Sequence, residues 1–384
     1  MLVKNRVLTP GPTALLPEAQ LAQAAASMHH RTDAFIELFR KVRGGLKQLF
    51  KTQRDVLVFA SSGSGGLEGC VVNAIAPGDT VVCVNGGKFG ERWMKMNKAY
   101  GANVIELAVE HGKAVEVSAV EKALKEHPTA RAVFVTGSES STGALHPVQA
   151  ISELTRKTET LLCVDAITWI GAHEVRTDEW GLDLVVCGSQ KAMAMPPGLA
   201  FVSISEKAER VMAASKGNKR YYFDFAREKK AQATDQTAFT PAISLIASCA
   251  ASLDWILETT VDGLWKNAHL IASMSRAAVK AIGLELLSPA PSDSVTAVLT
   301  PGGMDSGAVI KGLKKKFGAI IANGQDHLQG KIFRLAHLGY YDYLDTMGLL
   351  AALEVVLQDA GLKFEPGAAL KAAQQEYRRL TSTA

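Results

Sequence analysis

Six short strings of apolar and β-branched residues recur along the chain, with turn-rich or helical segments between them. They lie at residues 56–59, 80–84, 132–135, 161–164, 184–187 and 199–203. Strands that are apolar on both faces are typical of a sheet covered on both sides, because a half-exposed strand alternates apolar and polar residues. Helical patterns, at 34–50 and 67–75 for example, separate the strings, so the sequence predicts an open α/β sheet.

The chain is too long for this sheet to be its only unit. At 384 residues it exceeds the roughly 250 to 300 residues at which one core usually stops growing. From about residue 264 onward the pattern mixes helices and strands in a different order. The helical segments lie at 265–282, 308–317, 343–360 and 368–380, and the strand-like segments at 295–299, 319–322 and 332–335. We therefore predict a large domain at 20–264 and a smaller α+β domain at 265–384, which residues 1–19 join.

Composition excludes several classes of protein. Forty-two basic and 38 acidic residues leave a net charge of +4 without a basic block, so we expect no nucleic-acid partner. Lysines 311, 314, 315 and 316 fit a solvated helix face. No stretch reaches the roughly 18 to 20 apolar residues that span a bilayer, and the N-terminus lacks the apolar region of a signal peptide. The five scattered cysteines indicate reduced thiols and no zinc site, so we expect a cytoplasmic protein that does not bind membranes.

Polar residues follow four of the six strings directly. Glycines and serines fill 61–66, small hydroxyl residues and an acid fill 137–143, Asp165 ends the fourth string, and Lys191 follows the fifth in the run 188–191. Ligands of open α/β sheets bind beyond the carboxyl ends of the strands. We therefore expect these residues to meet at one site.

Each feature has an ordinary alternative when it is taken alone. The run 61–66 is either a flexible turn or a phosphate-binding turn whose free N–H groups face an anion. Lys191 is either a solvated loop lysine or a desolvated amine that adds to an aldehyde. Asp165 is either a helix cap or a carboxylate partner for a cationic ring. Together they match what pyridoxal phosphate (PLP) needs: a phosphate anchor, an imine partner and an acid beside the pyridine nitrogen.

The sequence resembles the class V, fold type I, PLP-dependent aminotransferases. Within them it is similar to the branch of alanine–glyoxylate and serine–glyoxylate aminotransferases and of soluble-hydrogenase small subunits. The resemblance covers nearly the whole chain and rests on residues 8–13, 30–32, 62–65, 85–86 with 89–90, 139–143, 164–165, 188–191, 237–241 and 333–334 with 337–339. It implies a large domain built on a mostly parallel, seven-stranded sheet between helices.

The resemblance also implies roles for individual residues around the cofactor. Lys191 would form the aldimine with PLP, and Asp165 would pair with the pyridinium nitrogen. Ser62, Gly63 and Gln190 would bind the phosphate, next to Ser64 in the same turn. Phe89 would stack on the cofactor ring, where many members have Trp, and Ser140 would lie near the cofactor hydroxyl.

Three further positions are implied to serve the partner subunit and the substrate. Thr240 would reach the phosphate of the neighbouring subunit, so a homodimer is expected. Arg334 would bind the substrate carboxylate with its planar fork, and Gly11 would lie at the substrate. The alternative for Arg334 is an ion pair with Asp342 or Asp345.

The chain departs from the family pattern in places. No histidine stands two residues before Glu139, and Thr168 with Trp169 replaces residues that are commonly small serines. We expect Trp169 to serve packing rather than to narrow the pocket. We also expect His337 to be structural.

The implied activity is transfer of an amino group from a small amino acid, alanine or serine, to a small 2-oxo acid, glyoxylate or pyruvate. A phosphonate or pyridoxamine aminotransferase would share every cofactor residue and remains open. Cysteine desulfuration is disfavoured, because the chain has no cysteine after Cys249 to act from a late loop. The last alternative is a non-catalytic subunit associated with a hydrogenase.

Overall fold

Residues 3–25, 28–215, 217 and 219–382 are described by the computed structural model. The strands are Arg6–Val7 (β1), Val56–Phe59 (β2), Thr80–Asn85 (β3), Asn103–Ala108 (β4), Ala132–Thr136 (β5), Ser138–Glu139 (β6), Ala144–Leu145 (β7), Leu161–Asp165 (β8), Leu184–Gly188 (β9), Ala200–Ile204 (β10), Val295–Leu299 (β11), Ala319–Ile320 (β12), Ala322–Asn323 (β13) and Ile332–Ala336 (β14). The helices are Pro17–Ala24 (α1), Asp33–Phe50 (α2), Gly63–Ala74 (α3), Lys88–Ala99 (α4), Val117–Glu126 (α5), Val148–Thr155 (α6), Glu206–Ala214 (α7), Phe225–Gln232 (α8), Ile243–Thr259 (α9), Val261–Ala281 (α10), Ser306–Phe317 (α11), Tyr343–Asp359 (α12) and Ala368–Thr381 (α13). A 3₁₀ helix spans Asp326–Leu328.

The central sheet has seven strands in the order β2-β10-β9-β8-β5-β3-β4. Strand β10 runs antiparallel to both of its neighbours, and the other neighbouring pairs are parallel. This confirms the predicted α/β architecture with a mostly parallel, seven-stranded sheet. All six predicted strings are strands of it. The seventh strand, β4, was not predicted, because it lies at the edge of the sheet and keeps exposed residues between partly buried ones.

Helices cover the sheet on both faces, which explains why its strands are apolar throughout. In β3, Val81 and Cys83 pack into the core on one face, while Val82 and Val84 pack into the core on the other. Side chains of a strand alternate between the faces, so a strand between two helical layers needs apolar residues at every position.

Helix α3 begins at Gly63, four residues earlier than the predicted start at residue 67. The glycines that indicated a turn are needed for close packing inside the helix. A Cβ atom on Gly63 would lie 2.5 Å from Ile167 Cδ1, and one on Gly66 would lie 2.8 Å from Val186 Cγ1. Both separations are shorter than a carbon–carbon contact allows, so the absence of side chains lets α3 approach the sheet.

The C-terminal part contains an antiparallel sheet in the order β11-β14-β13, covered by helices of its own. The predicted strand 319–322 is divided between two sheets. Strand β12 pairs in parallel with β1 near the N-terminus, and β13 pairs with β14. Ile321 lies between them and is buried, so its side chain anchors the point where the chain changes partners.

The division of the chain into domains remains a prediction. Its boundary at 264–265 falls inside α10, whose Leu264 packs in the core of the central sheet and whose Ile271 packs in the C-terminal core. Of the predicted joining segment, residues 3–19 are described, and Leu8 packs in the C-terminal core. Among the described helices, none combines the length and apolar character that a membrane crossing requires.

Candidate active site

A cavity of about 200 Å³ lies at the carboxyl ends of β5, β8 and β9, beside the first turns of α3 and α4. It is lined by Ser62, Gly63, Ser64, Phe89, Arg92, Thr136, Ser140, Asp165, Ile167, Thr168, Gln190 and Lys191. The lining includes every residue that the sequence predicted to contact a cofactor within one chain. Convergence at this edge follows from the parallel strands, whose carboxyl ends point the same way.

Lys191 follows β9, and its amine lies inside the protein. Nζ donates a hydrogen bond of 2.5 Å to the carbonyl of Pro10. Burial lowers the pKa of Lys191 to about 8, since desolvation disfavours the charged amine. The negative charge of Asp165 opposes this shift, whereas the cations Arg334 and Arg92 add to it. A substantial neutral fraction near pH 7 to 8 suits an amine that acts as a nucleophile and a base.

The N-terminal loop packs directly on this lysine. Gly11 has a φ of +134°, and a Cβ atom there would lie 2.0 Å from Lys191 Nζ. Thr13 anchors the loop, because its hydroxyl donates to the carbonyl of Lys191 at 2.9 Å and its N–H to the carbonyl of Gln190 at 3.2 Å. Glycine is therefore required at position 11 both by the backbone conformation and by the space that the lysine occupies.

Asp165 ends β8 and is 3 % exposed. Its Oδ1 accepts a hydrogen bond of 3.0 Å from the N–H of Ile167, and Oδ2 accepts none from the described residues. Burial raises the pKa of Asp165 to about 6, an effect that the Ile167 N–H opposes. At neutral pH the carboxylate is mainly ionised, with one oxygen available to a cationic group in the cavity.

Ser62, Gly63, Ser64 and Gln190 form one side of the cavity, which we call the phosphate corner after its predicted role. The side chain of Ser62 makes no capping hydrogen bond, so the first-turn N–H groups of α3 are not satisfied by it. Gln190 Oε1 and Thr136 Oγ1 are buried without a hydrogen-bond partner among the described residues. Buried polar atoms without partners cost free energy, so this lining fits a polar ligand that both donates and accepts, as a phosphorylated pyridine does.

Arg334 lies on β14 and is 7 % exposed. Its Nε donates to the carbonyl of Asn323 at 2.8 Å and its Nη1 to the carbonyl of Ser140 at 2.7 Å. Within the described residues it has no carboxylate partner, and Asp342 instead caps α12. The alternative ion pair with Asp342 or Asp345 is therefore wrong. Two carbonyls orient the guanidinium beside the cavity, and Nη2 remains available to an anion.

Glu139 is a buried acid to which the sequence assigned no role. Its carboxylate accepts hydrogen bonds from the N–H groups of Phe89 at 3.1 Å and Gly90 at 2.9 Å, and from the hydroxyl of Ser141 at 2.5 Å. Burial raises the pKa of Glu139, while these donors oppose the shift. Glu139 thereby fixes the first turn of α4, which presents Phe89 to the cavity. No local signal could reveal this contact, which joins residues 50 positions apart.

Three residues to which the sequence analysis gave roles, Trp169, His337 and Thr240, do not line the cavity. Trp169 is 4 % exposed, and its ring packs 5.9 Å from that of Trp180 in the core. His337 is 1 % exposed and shares a hydrogen bond of 2.9 Å with Thr296, and burial lowers its pKa to about 3. Thr240 is exposed on the loop between α8 and α9 and does not line the cavity of its own chain.

The thiols are buried, and the acidic residues are candidate ligands for a metal ion. All five cysteines are buried, and burial raises the pKa of each thiol. Cys249, the last cysteine in the sequence, is inside α9 and not on a loop. In the part of the chain that the structure describes, no group of three or more His, Cys, Asp or Glu side chains could hold a metal ion.

The chain is similar in sequence and in fold to known aminotransferases over nearly its whole length. Residues 16–337 match the sequence profile of the family described as Aminotransferase class-V. The soluble hydrogenase 42 kDa subunit of Anabaena cylindrica is 37 % identical over 97 % of this chain and 99 % of its own length. The L-aspartate–glyoxylate aminotransferase of Paracoccus denitrificans is 34 % identical over 100 % of this chain and 99 % of its own. The solved structure of pyridoxamine–pyruvate aminotransferase from Mesorhizobium loti aligns with a TM-score of 0.94 at 26 % identity, covering 98 % of each chain.

Proposed function

This chain belongs to the class V aminotransferase family, and we propose that it transfers the amino group of alanine or serine to glyoxylate or pyruvate, using PLP attached at Lys191. The observation that carries the proposal is the single cavity that brings together Lys191, Asp165 and the phosphate corner, with the orienting contacts of Arg334 beside it. The glyoxylate and pyruvate in the names of the similar enzymes support the acceptor.

The lysine and the aspartate divide the proton chemistry between them. When bound, PLP supplies a carbon that bonds the substrate amine and a ring that takes up the electrons of the broken Cα–H bond. Lys191 Nζ would hold the cofactor and would also serve as the base that takes the proton from the substrate Cα and as the acid that gives it back. Asp165 would keep a proton on the ring nitrogen, a task for which its free Oδ2 and its ionised state at neutral pH are suited.

The remaining residues of the site would bind and orient the cofactor and the substrate. The phosphate corner would hold the phosphate, and Phe89, fixed by Glu139, would cover one face of the ring. Arg334 would take the substrate carboxylate through its fork. Its position is set by two carbonyls, so binding does not require an existing ion pair to break. Alanine and serine as donors are supported by the names of similar enzymes, alanine–glyoxylate and serine–glyoxylate aminotransferases.

Substituting Arg334 by lysine tests the carboxylate assignment. Lysine keeps the charge but loses the fork, so we expect the KM values for the amino acid and the oxo acid both to rise by about tenfold or more. The absorption spectrum of the bound cofactor should not change. Steady-state kinetics with alanine and glyoxylate measures the effect, and Arg378→Lys, at an exposed position of α13, is the matched control. Unchanged KM values for both substrates would show that another residue binds the carboxylate.

The donor and acceptor are tested by half-reactions. We expect alanine or serine to convert the bound cofactor to its amino form, and glyoxylate or pyruvate to reverse the change, as followed by absorbance. Aspartate and pyridoxamine belong in the same screen, since similar enzymes are named for them. A response to pyridoxamine alone would favour the second candidate, a pyridoxamine aminotransferase, and would contradict our choice of donor.

We also propose that the enzyme acts as a homodimer in the cytoplasm. Thr240 is exposed and lies outside the cavity of its own chain, which supports a contribution to the phosphate of a partner subunit. The buried thiols are compatible with a reducing compartment. A mass of one chain in solution for the fully active protein would contradict the shared site.

A further inference from the structure

Arg92 has no assigned role, yet it lines the cavity. It lies on α4 one turn after Phe89, and its Nη1 donates a hydrogen bond of 2.9 Å to the hydroxyl of Ser64 in the phosphate corner. Its guanidinium carbon lies 4.8 Å from the centre of the Phe89 ring. Two side chains that themselves line the cavity therefore hold the cation at the same wall.

The charge of Arg92 is not neutralised by an ion pair with any residue that the structure describes. Other basic residues of the same helix differ: Lys88 and Lys95 both pair with Glu91. Of the acids near the cavity, Glu139 accepts hydrogen bonds from the first turn of α4. The charge of Arg92 acts on Asp165 and opposes the rise in its pKa, but the two form no ion pair within the described residues. A cation that is oriented but unpaired at a cavity wall indicates an anion-binding position.

The predicted phosphate ligands are all uncharged, and Arg92 could supply the positive charge that they lack. Ser62, Gly63, Ser64 and Gln190 offer only neutral donors. A phosphate monoester carries about 1.5 to 2 negative charges at neutral pH, so neutral donors alone leave most of that charge uncompensated. The hydrogen bond to Ser64 already connects the guanidinium to this corner.

We propose that Arg92 is the cationic residue of the phosphate corner and binds the phosphate group of PLP together with Ser64. This inference rests on the proposed function, because it assumes that the cavity takes PLP. Its consequence is specific to one chemical group: Arg92 contributes to affinity for the phosphorylated ligand and not to affinity for the pyridine ring.

The test compares PLP with pyridoxal, which lacks the phosphate. Dissociation constants are measured by absorbance on the cofactor-depleted wild type, on Arg92→Gln and on Lys95→Gln, the control that removes an exposed charge from the same helix. We expect Arg92→Gln to raise the PLP constant roughly tenfold to a hundredfold, the usual effect of a lost charged hydrogen bond. The pyridoxal constant should stay within about twofold, and Arg92→Lys should recover part of the PLP affinity.

A second titration strengthens the comparison. Inorganic phosphate, used as a competitor of PLP, should inhibit binding to the wild type and to Lys95→Gln more strongly than binding to Arg92→Gln. An equal loss for PLP and pyridoxal would overturn the proposal, because Arg92 would then act by positioning Phe89. An unchanged PLP constant with higher KM values for substrates would also overturn it and would assign Arg92 to the substrate. If the wild type itself does not bind PLP, the proposed function fails rather than this inference alone.

Discussion

Replacing Lys191 by alanine is expected to lower the rate of transamination at least about a thousandfold, since in the proposed function this one side chain supplies both the cofactor attachment and the base. Nζ lies in the cavity region with a pKa lowered to about 8, and Lys191 is the one lysine among the described residues that line this cavity. The phosphate corner remains intact in this variant. We therefore expect PLP to bind more weakly but measurably, in a spectrum that lacks the band of the lysine-attached form.

Single-turnover kinetics with alanine as donor measures the loss. Lys98→Ala, at an exposed position of α4, is the matched control and should retain wild-type rates. Folding is checked by the melting temperature without cofactor, because the variant also loses the hydrogen bond from Nζ to the carbonyl of Pro10. A Lys191→Ala enzyme with undiminished turnover would contradict the assignment of Lys191.

Asp165→Asn is expected to reduce kcat by about a hundredfold or more while the protein still binds PLP. The amide has the shape of the carboxylate but no negative charge, so it does not favour a proton on the ring nitrogen. Its Oδ1 can keep the hydrogen bond from Ile167, and the end of β8 should therefore retain its structure. The loss should appear in kcat rather than in the KM values, because the substitution leaves Arg334 and its two carbonyl contacts in place.

Rates of both half-reactions, together with the PLP dissociation constant, separate these effects. Asp254→Asn is a suitable control, since Asp254 is an exposed acid that pairs with Lys41 and does not line the cavity. A kcat within a few-fold of the wild-type value would show that Asp165 does not hold the ring proton.

Much of the fold was predictable because its signals are local. Burial on both faces requires apolar residues at consecutive positions, and the sequence 81–84 meets that requirement without reference to any other part of the chain. The ends of the strands were also predictable from the sequence, since the charged residues Asp165 and Lys191 follow apolar strings and a packed core would exclude them. Convergence of these ends then follows from the geometry of a parallel sheet.

The features that sequence reasoning missed depend on contacts between distant segments. Whether β10 runs parallel or antiparallel is set by its connections, and the composition of 200–204 is the same for either. Segment 319–322 divides between two sheets because β1, some 300 positions earlier, pairs with half of it. Local patterns do not encode such partners.

The candidate site shows the same limit. The roles of Glu139 and Arg92 depend on hydrogen bonds to Gly90 and Ser64, which lie 49 and 28 positions away. A buried acid and an arginine on a helix have many possible uses, and only their partners distinguish these uses. The contribution of Thr240 depends on a second chain and stays a prediction.

The most direct test of the account is covalent trapping of the cofactor. The PLP-loaded protein is reduced with borohydride, digested and analysed by mass spectrometry, with Lys191→Ala treated in parallel. We predict that the pyridoxyl phosphate group is found on the peptide containing Lys191 and on no other lysine, and that the variant retains no label. A label on a different lysine of the wild type, or a labelled Lys191→Ala protein, would contradict the central claim that this cavity and this lysine hold the cofactor.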